Sequence, residues 1–431
     1  MKNLKLHTPT GLTDLLPKAY QLKRSVERQL ELVFERYGYM FISAPTLEYL
    51  AVFEGTGSIP AAQMFKLGDK NGDMLALRPD MTPAVARMAT TQNFGGRSPT
   101  PLRLCYIEKI FRDHERFLGR ENEMTQAGAE LIGTSSPEAD AEVIALAVHG
   151  LLAAGITKFR IDIGQVDFLP GVLAELETAL SASERKAFIN HMIRRDYVAA
   201  ESIAAKAKHI VPAGVLLSDI TNLVGGSDMI ARAKSMVSKG QATAALTHLE
   251  EIYAILCDQG LQEYVLLDLS MTGQLDYYTG VIFKGYAEGS GSTVVDGGRY
   301  DKLLASFSSG QASNGSGTEP IPAIGFGIKI DGILDALSAQ DVSFKEEYAD
   351  TLLAYHESAR AVALTTGDIL RRDGLHLENS LVGGGLVEQK DYATSKGLKG
   401  ILYFKDPNTV VLVDLEANTE KEVNVEEFIK C

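Results

Sequence analysis

Hydrophobic residues recur at helical spacing near the start of the chain. Between residues 18 and 36, apolar residues share one face of a 3.6-residue period: Leu22, Val26, Leu30 and Val33. Gly38 follows at the position where a glycine often ends a helix. The pattern predicts one amphipathic helix that packs on a sheet.

From residue 40 to residue 135 the apolar residues alternate or form short runs between turn residues, which is typical of strands. The segments that show this pattern are "MFISAPTLEYL", "DMLALRPDMT", "PLRLCYIEKIF" and "NEMTQAGAELIG". The next segment, "SPEADAEVIALAVHGLLAAG", begins with a Ser-x-x-Glu helix start and continues with helical periodicity. We expect strands to outnumber helices before residue 135.

The pattern reverses between about 170 and 260, where the sequence is rich in alanine, has helical periodicity and contains few strand formers. We interpret this region as a helical insertion. Strands resume in "LLDLSM", "YYTGVIFKGY" and "IGFGIKIDGILDAL". The run "SSGQASNGSGTEP" interrupts them, and its composition predicts a surface loop.

The last block, from 347 to 431, alternates short strand and helix patterns and predicts a small separate α/β domain. Its segment "VGGGL" has neither the lysine of a phosphate-binding loop nor the spacing of a dinucleotide fingerprint. We interpret "VGGGL" as a turn, and we expect no cofactor.

Composition and charge narrow the classes of function. The chain has 431 residues, of which 45% are hydrophobic and 23% charged, as in an ordinary globular protein. Its formal net charge of -14 and the lack of a basic cluster disfavour nucleic acid as a partner. Three cysteines without metal-like spacing predict no metal site and suit a reducing compartment. No signal peptide or membrane span is evident, so we expect a cytoplasmic protein.

A set of short motifs occurs in a fixed order along the chain. They are Pro45 in "SAPTLE", "LRPDMTP" at 77–83, "FRDHERFLGRENEMTQAGAE" at 111–130, "LDYYTG" at 275–280, "DGGRYD" at 296–301 and "PAIGFGIKIDG" at 322–332. In this order they resemble the catalytic domain of histidyl-tRNA synthetases, and the last block resembles the anticodon-binding domain of that family.

The resemblance implies an α+β fold of the class II synthetase type, in which helices flank an antiparallel sheet. It implies a catalytic-type domain over 1–335 with the helical insertion at about 170–260, and an anticodon-binding-like domain over 347–431. It also implies a homodimer formed through the first motif around Pro45.

The resemblance also implies a histidine pocket. Asp80 and Thr82 match positions that bind the amino group, and Gln126 and Glu130 match positions that contact the amine and the imidazole ring. Three tyrosines are candidates for the walls around the ring, namely Tyr106, Tyr277 and Tyr278, and Arg112 is the candidate donor for the carboxylate. A zwitterion with an imidazole needs such acceptors and donors. Taken alone, each tyrosine would be a core residue and Glu130 a surface charge.

The residues that bind the nucleotide in histidyl-tRNA synthetases are replaced in this chain. The family's arginine before Leu-Asp-Tyr-Tyr corresponds to Gly273 and Gln274, and its Glu-Arg pair corresponds to Asp331-Gly332. An arginine of the second motif is replaced by Asn122. Adenylyl transfer depends on positioned positive charge, so we expect the chain to be non-catalytic.

This combination resembles the regulatory subunits of ATP phosphoribosyltransferase, which act in the first step of histidine biosynthesis. That resemblance implies a short-form catalytic subunit as partner, a homodimer within a hetero-octamer, and histidine as a feedback effector. Two alternatives stay open: a divergent histidyl-tRNA synthetase, and a histidine-binding regulator of another partner. We expect no membrane partner and no tRNA partner.

Overall fold

The computed structural model describes most of the chain, namely residues 4–56, 59–91, 101–114, 121–208, 212–238, 240–273, 277–307, 320–342 and 349–430. Gln274, the second-motif loop at 115–120, most of the Gly/Ser run (308–319) and Cys431 lie outside these residues. The chain divides into two compact units, Met1–Phe344 and Lys345–Cys431. In the described residues no helix is both long enough and apolar enough to cross a bilayer.

The first helix, α1, spans Pro17–Arg36 and buries the apolar face that its periodicity predicts. Val26, Leu30 and Phe34 are each fully buried in the main core. The helix ends before Gly38, whose φ of 78° is in the left-handed region that favours glycine. The predicted helix is therefore confirmed.

Twelve strands occur among the described residues of the first unit. They are β1 Met40–Phe41, β2 Leu47–Tyr49, β3 Lys66–Gly68, β4 Met74–Leu77, β5 Leu102–Phe111, β6 Glu123–Ile132, β7 Phe159–Gln165, β8 Val224–Gly225, β9 Val265–Asp268, β10 Val281–Ala287, β11 Val295–Arg299 and β12 Ala323–Lys329. Nine of them form one sheet in the order β1-β5-β6-β12-β11-β10-β7-β9-β8, and the other three form a small sheet, β2-β4-β3. In the large sheet only β1–β5 and β7–β9 are parallel. Six of the strands lie between residues 40 and 135 and outnumber the helices there, as predicted.

Helices cover the large sheet and connect its strands. Their bounds are α2 Thr82–Thr91, α3 Pro137–Ala153, α4 Phe168–Ala174, α5 Ala182–Ile193, α6 Tyr197–Ala207, α7 Pro212–Ser218, α8 Ser227–Lys234, α9 Gln241–Asp258 and α10 Ile330–Ala339. Residues of α1, α3, α9 and α10 share the main core with one face of the sheet. Residues of α2 pack with Tyr106, Tyr277 and Tyr300 in a second core cluster.

The start of α3 differs in detail from the sequence pattern. The predicted Ser-x-x-Glu box does not form, because Ser136 is the N-cap and Ala139, not a glutamate, lies three residues after it. The Ser136 hydroxyl accepts a hydrogen bond from the Ala139 N–H at 3.3 Å. The helix is buried on most of its surface, including Asp140, which is fully buried.

The region from Phe168 to Asp258 consists mainly of the short helices α4 to α9, with β8 as its strand among the described residues. Small residues allow these helices to approach closely. A Cβ atom at Gly171 would lie 2.4 Å from the Ala242 nitrogen, and one at Gly214 would lie 2.0 Å from the Ala207 oxygen. The high alanine content that predicts helices here also sets their close packing.

The second unit is a five-stranded sheet with helices. Its elements are β13 Thr351–Tyr355, α11 Arg360–Arg372, β14 Leu377–Asn379, α12 Leu386–Ser395, β15 Gly400–Asp406, β16 Thr409–Asp414, β17 Thr419–Asn424 and α13 Val425–Lys430. The strand order is β14-β13-β15-β16-β17, and β13 is parallel to both of its neighbours. Residues 382–385 form the connection into α12, and Gly384 has a φ of 113°.

Candidate functional site

One face of the large sheet has a floor of glycines beneath a group of polar side chains. A Cβ atom at Gly325 on β12 would lie 1.6 Å from Oε2 of Glu130 on β6. A Cβ atom at Gly327 would lie 2.1 Å from Nε2 of Gln126. Glycine is therefore required on β12 so that the two β6 side chains can lie against its backbone.

Two further glycines of the sheet leave room for aromatic rings. A Cβ atom at Gly128 would lie 2.4 Å from the Tyr106 hydroxyl oxygen. A Cβ atom at Gly298 on β11 would lie 2.7 Å from the Tyr278 ring. The motifs "TQAGAE", "DGGRYD" and "PAIGFG" thus supply both the floor and side chains that rest on it.

Glu130 is at the centre of the site and is fully buried. Its Oε1 accepts hydrogen bonds from Thr82 Oγ1 at 2.9 Å and from the Tyr106 hydroxyl at 3.5 Å. Its Oε2 accepts one from the Tyr300 hydroxyl. Burial raises the pKa of Glu130 to about 8, although the hydrogen bonds from Tyr300 and Thr82 oppose the rise. The interpretation of Glu130 as a surface charge is therefore wrong.

Asp80 and Gln126 form a second polar pair beside Glu130. Asp80 is 5% exposed and accepts a hydrogen bond from the Met81 N–H at 2.9 Å. Burial raises the pKa of Asp80, while the Arg112 guanidinium and the Gln126 amide hold part of that rise back. The Gln126 Oε1 atom is buried and has no hydrogen-bond partner within the described residues. Such an acceptor is costly unless a ligand or water donates to it.

Arg112 lies next to this pair and its Nε donates a hydrogen bond to the Pro79 carbonyl at 2.8 Å. This bond fixes the guanidinium beside the 77–83 motif. Its charge is the main electrostatic influence that favours ionised Asp80. Arg112 therefore already interacts with a protein carboxylate when no ligand is bound.

Three tyrosines of the site pack against one another. The Tyr277 ring centroid lies 4.9 Å from that of Tyr278 and 6.0 Å from that of Tyr300, the latter edge to face. Burial raises the pKa of all three phenols, so they remain neutral hydrogen-bonding groups. They give the site an apolar wall with hydroxyl groups at its edge.

Tyr300 is a site residue that the sequence predictions did not include. It follows Arg299 in "DGGRYD", and the two side chains have different environments. Arg299 forms a buried ion pair with Asp140 of α3, with Nε 3.0 Å from Oδ1. This anchor fixes the end of β11 and lets Tyr300 reach Glu130. The signal for Tyr300 is its place in this motif, directly after Arg299.

The structure brings all eight predicted residues into one connected group: Asp80, Thr82, Tyr106, Arg112, Gln126, Glu130, Tyr277 and Tyr278. Thr82 donates to Glu130, and its contact with an amino group stays a prediction. Among the described residues, no group of acids, histidines and cysteines could hold a metal ion.

Asp331 and Asn122 replace the family's nucleotide-binding residues. Both form hydrogen bonds with neighbouring segments of the chain, and neither carries a positive charge. Asp331 accepts a hydrogen bond from the Thr125 N–H at 3.0 Å, and Lys23 donates to the Thr125 hydroxyl at 2.6 Å. Asn122 accepts from the His114 N–H at 3.1 Å and donates to the Thr10 carbonyl at 3.2 Å. Neither Asp331 nor Asn122 offers a cation to a triphosphate.

Comparisons with known proteins identify the family. The histidyl-tRNA synthetase family model matches residues 11–333. An ATP phosphoribosyltransferase regulatory subunit from Acetivibrio thermocellus is 36% identical over 432 residues, covering 100% of both chains. The chain belongs to the family of ATP phosphoribosyltransferase regulatory subunits. The corresponding protein of Ruminiclostridium cellulolyticum is 34% identical over 430 residues, covering 100% of this chain and 99% of the relative.

A solved structure supports the same family assignment. A protein from Bacillus halodurans, described as an ATP phosphoribosyltransferase regulatory subunit/histidyl-tRNA synthetase, matches with a TM-score of 0.79 and 29% identity. The match covers 93% of this chain and 98% of that protein. The predicted class II synthetase-like α+β fold is confirmed, and so is the resemblance to the regulatory subunits. These relatives are named for the regulatory and not the catalytic subunit of the enzyme.

Proposed function

We propose that this chain activates a short-form ATP phosphoribosyltransferase catalytic subunit and makes its activity sensitive to feedback inhibition by histidine. The observation that carries the proposal is the contrast within the site. A buried cage of acids and hydroxyls around Glu130 is complete, whereas Asp331 and Asn122 stand where the synthetase family has phosphate-binding groups. A site of this kind can bind an amino acid but lacks charges for adenylyl transfer.

Histidine fits the donors and acceptors that the site presents. Its ammonium group can donate to Asp80 and to the unpaired Oε1 of Gln126. Its imidazole N–H can donate to Glu130, with the ring between Tyr106 and Tyr278. Charge-assisted hydrogen bonds of this kind favour histidine over an apolar amino acid of similar size. Arg112 remains the carboxylate donor that the family resemblance implies.

A divergent histidyl-tRNA synthetase is the less favoured function. Loss of one positioned donor in such a transition state costs on the order of 10² to 10³ in rate. The formal net charge of -14 also disfavours a tRNA partner. By the family resemblance, the assembly would be a cytoplasmic hetero-octamer in which this chain forms homodimers, with the anticodon-binding-like domain over 347–431 in an unassigned role.

The direct test combines this chain with a short catalytic subunit and measures phosphoribosyl-ATP formation. We expect no product from this chain alone, slow formation by the catalytic subunit alone, and a large increase when the two are mixed. Histidine should inhibit the mixture. An unrelated acidic protein at equal concentration is the control. Equal rates with and without this chain would remove the proposal, and retained histidine binding would then favour a regulator of another partner.

A further inference from the structure

Asp301, the last residue of the motif "DGGRYD", lies where three segments of the chain meet. Its Oδ1 atom accepts one hydrogen bond from Nη1 of Arg299 at 3.0 Å and another from the Ala323 N–H at 3.0 Å. Its own N–H donates to the hydroxyl of Thr279 at 2.9 Å. Asp301 therefore joins the end of β11 to the start of β12 and to the turn that precedes β10.

The guanidinium of Arg299 is held between two carboxylates. Besides its bond to Asp301, it donates from Nε to Oδ1 of buried Asp140 at 3.0 Å. Its Nη1 atom also donates to the Thr134 carbonyl at 3.0 Å. The Arg299 side chain is only 4% exposed, so these bonds are shielded from water. Loss of one carboxylate partner from a buried guanidinium is costly, and we expect the arginine to move when Asp301 is removed.

Tyr300 lies between these two anchored residues. Its N–H donates to the Ala323 carbonyl at 2.7 Å, and its hydroxyl donates to Oε2 of Glu130. The hydroxyl favours the ionised carboxyl of Glu130, because a hydrogen bond donated to a carboxylate stabilises the charged form. An imidazole N–H binds best to the same ionised acceptor. The position of Tyr300 therefore bears directly on the proposed contact between Glu130 and histidine.

Thr279 extends this junction to a second tyrosine of the site. Its hydroxyl accepts the hydrogen bond from the Asp301 N–H. Tyr277 lies two residues earlier in the chain, and its ring packs edge to face on the ring of Tyr300 with 6.0 Å between the centroids. The junction at Asp301 thus fixes the two tyrosines relative to each other.

We propose that Asp301 is a positioning residue of the histidine site, and that it sets the affinity for histidine by holding Tyr300 on Glu130. The inference rests on the proposed function and deepens it, because it names a residue outside the group of ligand contacts on which the affinity depends. Asp301 touches no ligand in this role. A residue that serves folding alone would change the melting temperature without changing the affinity of the folded protein.

Calorimetric titration with histidine tests the inference. Asp301→Ala removes both hydrogen bonds to Oδ1, and the affinity should fall about fivefold to tenfold, as for one lost hydrogen bond at Glu130. Asp301→Asn keeps a carbonyl oxygen as acceptor and should restore most of the affinity. Asp414→Ala is the matched control and should leave the affinity unchanged. Asp414 also accepts a backbone hydrogen bond, from the Ala417 N–H at 2.8 Å, but it is exposed and belongs to the second unit.

A double-mutant cycle with Tyr300→Phe shows whether Asp301 acts through that tyrosine. Asp301→Ala should have little further effect in the Tyr300→Phe background. Unaltered affinity in Asp301→Ala, an equal loss in the Tyr300→Phe background, or no rescue by Asp301→Asn would each overturn the inference. Thermal melts identify a variant that fails to fold. In that case Thr279→Val, which removes the acceptor for the Asp301 N–H, replaces Asp301→Ala in the cycle with the same expected outcome.

The titrations are run on this chain alone and on its mixture with the catalytic subunit. Unmodified protein that binds histidine while Asp301→Ala retains full affinity overturns only the inference. Unmodified protein that binds no histidine in either form overturns the histidine site and the inference together. Activation of the catalytic subunit is measured independently, so the two failures are distinguishable.

Discussion

The amino-acid half and the nucleotide half of the candidate site differ in the hydrogen-bond partners of their polar groups. In the amino-acid half, Glu130 and Asp80 are buried acids surrounded by hydroxyl groups and an amide, and Gln126 has an unused acceptor. In the nucleotide half, Asp331 and Asn122 bond to backbone groups of neighbouring segments. Under the proposed function, the first half binds an amino acid and the second serves the scaffold. One fold can host different functions in this way.

The largest expected effect concerns the reaction itself. Purified protein with histidine, ATP and Mg²⁺ should show histidine-dependent ATP–pyrophosphate exchange at least about 10⁴-fold below a histidyl-tRNA synthetase, because two positioned donors are missing. A radiolabelled exchange assay with an active synthetase as reference measures this ratio. Exchange within about tenfold of the reference would show that the nucleotide half still supports adenylyl transfer.

The next effect is a pH dependence of stability that arises from Glu130. The pKa of Glu130 is raised to about 8 in the folded state, whereas the carboxyl group of an unfolded glutamate titrates near 4.5. The folded state therefore favours the protonated carboxyl. Its contribution to stability is fully present below the unfolded pKa and is lost as pH rises through the window up to the folded pKa. The loss is at most about 4 to 5 kcal/mol.

Glu130→Gln has no proton to lose and should not show this loss. Thermal melts without histidine, taken from pH 5 to pH 8, should show the unmodified protein losing stability relative to the variant. Glu288→Gln alters an exposed carboxylate and serves as the control. Parallel pH profiles for unmodified protein and Glu130→Gln would show that Glu130 is ionised throughout.

Gly325→Ala should damage the amino-acid half through its floor. The new methyl group would lie 1.6 Å from Glu130 Oε2, so the carboxyl group or the strand must move. Overpacking of this kind costs about 1 to 3 kcal/mol, and we expect histidine binding to be lost as well. Gly291→Ala is the matched control, because nothing lies within 4 Å of a Cβ atom there. Normal histidine affinity in Gly325→Ala would disprove the close packing of Glu130 on this floor.

The smallest effects compare two ligand contacts by calorimetric titration with histidine. Glu130→Gln keeps an acceptor oxygen but cannot ionise when the imidazole N–H binds, so the charge-assisted hydrogen bond is lost and binding should weaken about tenfold to hundredfold. Tyr277→Phe should have a milder effect, since its hydroxyl contributes a neutral hydrogen bond of about 1 kcal/mol. If both variants melt at lower temperature and bind histidine with unaltered affinity, the two residues are structural.

Much of the fold and site could be predicted from short-range patterns. The helix at Pro17–Arg36 and the strand that begins at Val281 follow from local periodicity. The motif order identified residues that the structure brings together, although Thr82 and Glu130 are 48 positions apart. The helix start at Ser136 agrees with the prediction, but the capping box is absent, because Ala139 lies three residues after Ser136 where the box needs a glutamate.

The sequence by itself determined the class of fold, eight residues that lie together in the candidate site and the loss of the arginines, because these depend on residue types in a fixed order. Only the tertiary structure decided the raised pKa of Glu130 and the part played by Tyr300. Glu130 and Tyr300 are 170 positions apart, and their contact depends on how β6, β12 and β11 pair. Burial and strand register set those properties, and both arise from packing between segments that are remote in the chain.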